Sequence, residues 1–348
     1  MKNNLNEILK LITPLNSKAM KEAEELQKNF IKPVGSLGEL EKISIKIAGI
    51  TGRPKNLIDK KIICLFGSDH GIHDEGVCSS PQNFTAKLMK VYAENQNAGI
   101  NILAKKANAE LKIYDLGVKN LGSNPNVITK KFMENGTNNF LHGRAMDYET
   151  AKNVIEFGIS IVKIAKDNSV DLIGTGEVGM ANTTPASACI MAALNSRDEN
   201  LIGRGAGLND KEYSRKKNVI LKALELHEKN FTDPVNIISS VGGLDIAAMT
   251  GIFIGGAVYK IPVIIDGVIS ISAALMAYLL EPLVREYFFA SHESLEPAYN
   301  HAAKFMNVEP SLRLSMRLGE GTGCAIFMQI IDDSLAIINN MGSFDELS

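Results

Sequence analysis

The chain has 348 residues, of which 45% are hydrophobic, with four cysteines and no tryptophan. That length and apolar content suit one large domain or two modest ones, with a core that needs no covalent staples. A balance of 37 basic against 39 acidic residues leaves a formal net charge of -2, which excludes the electrostatic footprint of a nucleic-acid binder; brief basic runs such as "RKKN" (215–218) read as solvated helix faces.

The opening stretch "MKNNLNEILKLITPLNSKAM" breaks its apolar positions with polar ones at helical spacing, so it predicts an amphipathic helix rather than a signal peptide. Residues 1–60 read as purely helical and are expected to form a small domain joined by part of 285–348. From there the pattern alternates. "KIICLF" predicts a strand, 84–105 a helix, "ELKIYDLG" a strand, 148–166 a helix, "VDLIG" a strand and 185–194 a helix. "VIIDG" is a further strand, set between long helical tracts. Strands alternating with helices imply βαβ units. The expected fold class is α/β, a Rossmann-like doubly wound and mainly parallel sheet over 61–284, with the small helical domain built from the two chain ends. The segment 285–348 is expected to carry further helices and a second glycine loop.

The apolar tracts 246–259 and 267–280 are bounded by charged residues and fall short of the ~20 residues a membrane span needs, so they read as buried core and no membrane is implied. Cys64, Cys78, Cys189 and Cys324 lack C-x-x-C spacing and read as reduced thiols, which suits a cytoplasmic protein.

Polar and glycine-rich residues gather at the carboxyl ends of the strands, as "GSDHG", "DLGV", "GTGEVG" and "DGVIS", where an open α/β sheet binds its ligand. In "LIGTGEVGMANTTPAS" (172–187), Gly174, Gly176 and Gly179 have the G-x-G-x-x-G spacing of a dinucleotide fingerprint. Two features oppose a dinucleotide. Glu177 would repel a pyrophosphate, and Asp198 and Glu199 lie in the polar stretch "NSRDEN" instead of at a strand end. A helix start capped by Thr184, with Pro185 at its first position and the hydroxyls of Thr183 and Thr184 nearby, would instead form an anion site. "MRLGEGTGCAI" (316–326) repeats the theme of a carboxylate among glycines, with Glu320 between Gly319 and Gly321. "GRGAG" (203–207) sets Arg204 between Gly203 and Gly205. Together these loops offer N–H groups, hydroxyls and an arginine for a phosphate, plus two carboxylates for proton work.

The strings "KPVGSLGELE" (32–41), "SDHGIHDEGVCSSPQNFT" (68–85), "GTGEVGMANTTPASA" (174–188), "IGRGAGLND" (202–210), "VGGLDIAAMTG" (241–251), "PVIIDGVIS" (262–270), "SHESLEP" (291–297) and "MRLGEGTG" (316–323) resemble, in order, the nicotinate-nucleotide dimethylbenzimidazole phosphoribosyltransferase family. The resemblance implies transfer of phosphoribose from nicotinate mononucleotide to an aromatic base, with Glu320 as the catalytic base and Glu177 and Lys216 beside it. It points to Gly176, Gly179, Asn182, Gly203, Arg204, Gly205, Gly319 and Gly321 for phosphate and ribose. It also places Ser79, Ser80, Pro81, Gln82, Val178 and Met180 around the incoming base. From the residues alone, Lys216 reads equally well as an exposed helix lysine and Gln82 as a surface cap. The resemblance further implies a homodimer, or a heterodimer with a paralogous chain, no cofactor and no metal. Departures at Met180, Ala181 and Ala298 lie near the expected base pocket, and some members of the family attach phenol or p-cresol instead of a benzimidazole.

Asp69, His70 and His73 lie close together, but two histidines with no third neighbouring ligand make a weak zinc site; Asp69 and His70 read instead as a hydrogen-bonded floor to the site. "SHESLEPAYNH" reads as a helix start capped by Ser291. Three other functions remain to be weighed. An NAD-dependent oxidoreductase needs an acid at the end of the next strand, and none is there. A transferase using phosphoribosyl pyrophosphate needs an acidic pair after an apolar strand, also missing. A catalytically silent partner subunit would have no reason to keep both Glu320 and Glu177.

Overall fold

A computed structural model describes residues 4–347 of the chain. In order, the elements are α1 (Leu5–Leu9), α2 (Ser17–Asn29), α3 (Glu39–Thr51), β1 (Lys61–Ser68), α4 (Phe84–Lys90), α5 (Gly99–Lys106), β2 (Ala109–Gly117), β3 (Val127–Thr129), α6 (Tyr148–Asp167) and β4 (Leu172–Val178). There follow α7 (Thr183–Ala193), α8 (Asp210–His227), α9 (Pro234–Val241), α10 (Leu244–Tyr259), β5 (Val263–Ile265), α11 (Val268–Leu280), β6 (Phe288–His292), α12 (Pro297–Met306), β7 (Pro310–Leu312) and α13 (Thr322–Asn340).

The strands form one sheet in the order β3-β2-β1-β4-β5-β6-β7, and every neighbouring pair is parallel. The chain steps outward from β1 to β3, returns to lay β4 against the free side of β1, and then steps outward the other way. This is the doubly wound α/β fold that the alternating pattern implies. The reversal between β1 and β4 leaves a crevice at their carboxyl ends, where such folds take their ligands.

Side chains alternate across a strand, and β4 uses the alternation to sort its two covers. Gly174 faces Cys324 and Met328 of α13, while the hydroxyl of Thr175 meets Ser270 of α11 at 2.7 Å on the opposite face. The helices α10 and α11 are buried almost all round, which explains their nearly unbroken apolar sequence. No helix among the described residues is long and apolar enough to cross a membrane. At the other cover, Ser334 of α13 donates to the carbonyl of Leu40 at 2.6 Å and so ties α13 to the N-terminal helices.

Several elements differ from the sequence reading. The expected N-terminal helix is two, α1 and α2, because Pro14 disfavours helical geometry in the residue before it; Asn16 then caps α2 by accepting from the N–H of Ala19. The expected helix over 84–105 is broken by a single π-helical turn, Val91–Asn95, that ends on Gln96 in the left-handed conformation. The strand read at "VDLIG" runs on through Val178, so Gly174, Gly176 and Glu177 belong to β4 itself and not to a loop. Thr184 does not cap α7; the helix starts at Thr183, with Asn182 before it. Ser291 lies inside β6 and donates to the carbonyl of Ile265 at 2.7 Å, so that helix begins only at Pro297. The short strands β3 and β7 have too few residues to show a period, and both lie at the sheet's edges.

The crossing of α6 and α10 depends on two glycines. A Cβ on Gly158 would stand 2.1 Å from the carbonyl oxygen of Ala248, and one on Gly251 would stand 2.0 Å from that of Ile155. Backbone cannot yield there as a side-chain tip can. Gly158→Ala is expected to cost about 1–3 kcal/mol of unfolding free energy, as overpacking does. Gly143→Ala, where a Cβ meets nothing within 4 Å, should stay within about 0.5 kcal/mol of the parent. Equal denaturation midpoints for the two variants would contradict the close crossing.

Candidate active site

A cavity of ≈ 280 Å³ opens at the carboxyl ends of β4, β5 and β6, close to the lower end of the ~300–1,000 Å³ range of small-molecule sites. Its innermost feature is the loop before α13. Asp266, which follows β5, is 1% exposed and accepts from the N–H groups of Gly321 at 3.0 Å and Gly323 at 2.7 Å. These are orphan donors of a helix N-terminus, so the carboxylate both satisfies them and meets the positive end of the α13 dipole. Three successive residues of the loop, Gly319, Glu320 and Gly321, take positive φ. Glycine accepts this freely; for Glu320 it is a strained conformation that the surrounding contacts must hold.

The glycines of β4 make room for this loop. A Cβ on Gly176 would stand 2.6 Å from the carbonyl oxygen of Glu320 and 3.1 Å from the nitrogen of Gly321. At Gly176 the absence of a side chain serves clearance between two backbones.

So placed, Glu320 lines the cavity. Its Oε1 accepts from the hydroxyl of Tyr92 at 2.8 Å, and the N–H of Ile100 donates to the same carboxylate. Its Oε2 is buried without a partner. Burial raises the affinity of Glu320 for a proton; the Tyr92 and Ile100 hydrogen bonds work against that rise, and the charge of Asp266 adds to it. Glu177 stands alongside. Burial, then the charges of Asp245 and Asp266, push its carboxyl up to about 8, opposed by hydrogen bonds from Asn182 and from the backbone of Glu320.

Lys216 is fully buried on α8 and is not the exposed helix lysine that its neighbours Arg215 and Lys217 suggest. Its Nζ donates to Thr183 Oγ1 at 2.8 Å and to the carbonyl of Gly203 at 3.0 Å, one layer behind the cavity wall. Burial lowers its ammonium to about 8, with the charge of Glu296 countering.

Of the residues singled out in the sequence, the cavity is lined by Glu320, Glu177, Gly179, Asn182, Arg204, Gly205, Gly319, Ser79, Ser80, Val178 and Met180. Others stand outside it. Gly176 lies beneath the Glu320 loop, and Gly321 is the loop residue that packs against it. Pro81 is not part of the wall, and Gln82 spends its amide on Asp69 Oδ1 at 2.6 Å. The guanidinium of Arg204 turns away to Leu208 and Asp210 and packs over the ring of Tyr213. The "GRGAG" loop is wrapped around Glu296, whose Oε1 takes the N–H of Gly205 at 2.8 Å and whose carboxylate fills the space a Gly203 side chain would need. Gly203 therefore lies behind the wall, and the Gly205 N–H is already occupied. His70, expected in the floor, lies behind Gly179 with its Nε2 3.4 Å from Asp245 Oδ2.

Sequence reasoning missed Tyr92, Phe84 and Leu88 on the α4 side, Val268 and Ile269 at the start of α11, His292 and Ser294 after β6, and Arg317 before the Glu320 loop. Only the carboxyl ends of β5 and β6 carried a usable signal, because ligands of this fold gather at strand ends. Among the described residues no group of three or more His, Cys, Asp or Glu is placed to hold a metal ion.

The pH dependence of stability follows from Glu177. Its folded value of about 8 exceeds the ~4.3 of an unfolded glutamate, so the folded chain binds a proton that the unfolded chain releases. That contribution is full at low pH and is lost as pH rises through about 8. Thermal unfolding of the parent and of Glu177→Gln from pH 5 to about 9 should show the parent losing stability relative to the variant from the acid end of this range up to about pH 8, and levelling off above it. Parallel curves would contradict the assignment.

A family model described as a phosphoribosyltransferase matches residues 12–348. The nicotinate-nucleotide dimethylbenzimidazole phosphoribosyltransferase of Clostridium perfringens is 43% identical over 342 residues, covering 98% of this chain and 94% of that protein. The protein of that name from Acetivibrio thermocellus is 39% identical over 342 residues, covering 98% of this chain and 97% of its own. The crystal structure of CobT from Thermus thermophilus superposes with a TM-score of 0.90 at 29% identity, over 95% of this chain and 98% of that one. With matches over nearly its whole length, the chain belongs to the nicotinate-nucleotide dimethylbenzimidazole phosphoribosyltransferase family and is a pentosyltransferase.

Proposed function

We propose that the protein transfers phosphoribose from nicotinate mononucleotide to a ring nitrogen of a benzimidazole-type base, giving nicotinate and the α-ribotide used in cobamide assembly. The observation that carries this reading is Glu320, which lines the cavity with its carboxylate held through Oε1 and with Oε2 buried and unpartnered. The chemistry needs one base. In nicotinate mononucleotide the ring nitrogen is already a pyridinium, so the bond from C1′ to nitrogen breaks with its electron pair going to that nitrogen and no acid is required. The acceptor's ring nitrogen forms the new bond to C1′ from the opposite face. Its N–H proton passes to Glu320.

The walls support this division of labour. Phe84, Leu88 and Met180 offer an apolar face for the flat acceptor beside Glu320. Asn182 and Thr183 open α7, where the dipole of a helix start favours a phosphate. Arg317 lines the same cavity and replaces Arg204 as the cation for that phosphate. Glu177, largely protonated near neutral pH, ionises more readily as positive charge develops on the ribose.

The test is product formation with nicotinate mononucleotide and, in parallel, 5,6-dimethylbenzimidazole, adenine, phenol and p-cresol. The parent should release nicotinate and form the benzimidazole ribotide, with a rate that falls as pH drops and Glu320 takes up a proton. Glu320→Gln should lose about 10²–10⁴-fold in turnover, the usual worth of a general base, while still binding nicotinate mononucleotide. Parental turnover in that variant would remove Glu320 from the role, and transfer to the phenols alone would replace the acceptor class.

A further inference from the structure

Resting on that reading, we propose that the Tyr92 hydroxyl is a positioning group for the reaction: by donating to Glu320 Oε1 it fixes the carboxylate at the cavity and holds it ready for the acceptor's proton. Tyr92 is 1% exposed and also lines the cavity. Its hydroxyl is 2.8 Å from Glu320 Oε1. Burial, reinforced by the charges of Glu320 and Glu177, raises its own proton affinity far above the ordinary phenol value, so it remains a neutral donor throughout the working range.

The helix break explains how the contact arises. In an unbroken helix over 84–105, Tyr92 and Ile100 would sit about 12 Å apart along the axis and could not reach one carboxylate. The π turn Val91–Asn95 and the left-handed Gln96 fold α5 back, so the Tyr92 hydroxyl and the Ile100 N–H converge on Glu320. Two amides secure the turn: Asn101 donates to the carbonyl of Tyr92 at 3.0 Å and Asn126 to that of Ala93 at 2.9 Å. A π turn inside a helix often marks a functional site, and here it delivers the hydroxyl to the reacting carboxylate.

Other charged groups face Glu320 from each neighbouring element. Asp266 lies after β5, Glu177 on β4 receives the backbone hydrogen bond of Glu320, and His292, Glu296 and Arg317 line the same cavity. None of them donates to Oε1. Removing the phenol hydroxyl therefore takes away stabilisation of the charged carboxylate that no neighbour replaces.

The experiment compares the full-length parent with Tyr92→Phe. The acidic limb of kcat/KM for 5,6-dimethylbenzimidazole should move up by about one pH unit, a tenfold loss of activity below the limb, with KM for nicotinate mononucleotide unchanged. A second measurement reads the carboxyl directly. In protein carrying ¹³C-carboxyl glutamate, the resonance missing from Glu320→Gln should titrate at higher pH in Tyr92→Phe than in the parent. An unmoved titration overturns the inference, whatever the activity does. If the parent shows no transfer to any acceptor, the proposed reaction fails and the titration alone decides the role of Tyr92.

Discussion

One buried carboxylate organises the functional end of the sheet. Asp266 stands where β5 ends and accepts from two backbone N–H groups of the turn into α13, each such charge-assisted bond being worth about 1.5–3 kcal/mol. That attachment pins a run of left-handed residues against β4, and Glu320 is the non-glycine residue among them. Without an acceptor at that point the N-terminus of α13 would have buried donors unpaired and nothing to hold the strained turn. Glycine at 176 permits the approach, and Asp266 enforces it.

The anchor has an electrostatic consequence. Asp266, Glu177 and Glu320 crowd acidic groups around one cavity, and the low local dielectric makes each ionisation costlier for the others. Protons therefore stay on groups that would be ionised in water, with Glu177 pushed up to about 8. Donors divide the labour among them. Asp266 receives backbone N–H groups and is countered by His292, Glu177 receives Asn182, and Glu320 receives Tyr92. Positive charge that develops in this cavity meets groups that ionise more readily in response. Lys216, buried behind the cavity, is spent on Thr183 and Gly203 and steadies the backbone there.

The fold was legible because β1 carries a continuous apolar run, β2 an alternating one and β4 a short apolar start, each set between helical patterns. Shorter pieces were not: β3 and β7 offer three residues each, too few for a period. Glu320 and Glu177 stood out as carboxylates among glycines, yet the reason for the glycines was hidden, since the contact of Gly176 with the Glu320 loop joins segments far apart in the chain. Tyr92 gave no signal at all. Its stretch is compatible with an ordinary helix, and only packing produces the π turn. Lys216 was masked by its charged neighbours Arg215 and Lys217, and Gln82 looked free because its partner Asp69 comes from another turn. Asp266 was visible at a strand end, but its role belongs to the helix start it caps.

The central claim is that this anchored loop presents the Glu320 carboxylate to the proton the acceptor must lose. A crystal structure with 5,6-dimethylbenzimidazole bound tests it most directly. The account expects a ring nitrogen of the base within about 2.6–3.2 Å of a Glu320 carboxylate oxygen, with the Gly321 and Gly323 amides still on Asp266. A base seated in the cavity with both ring nitrogens turned away from Glu320 would contradict it.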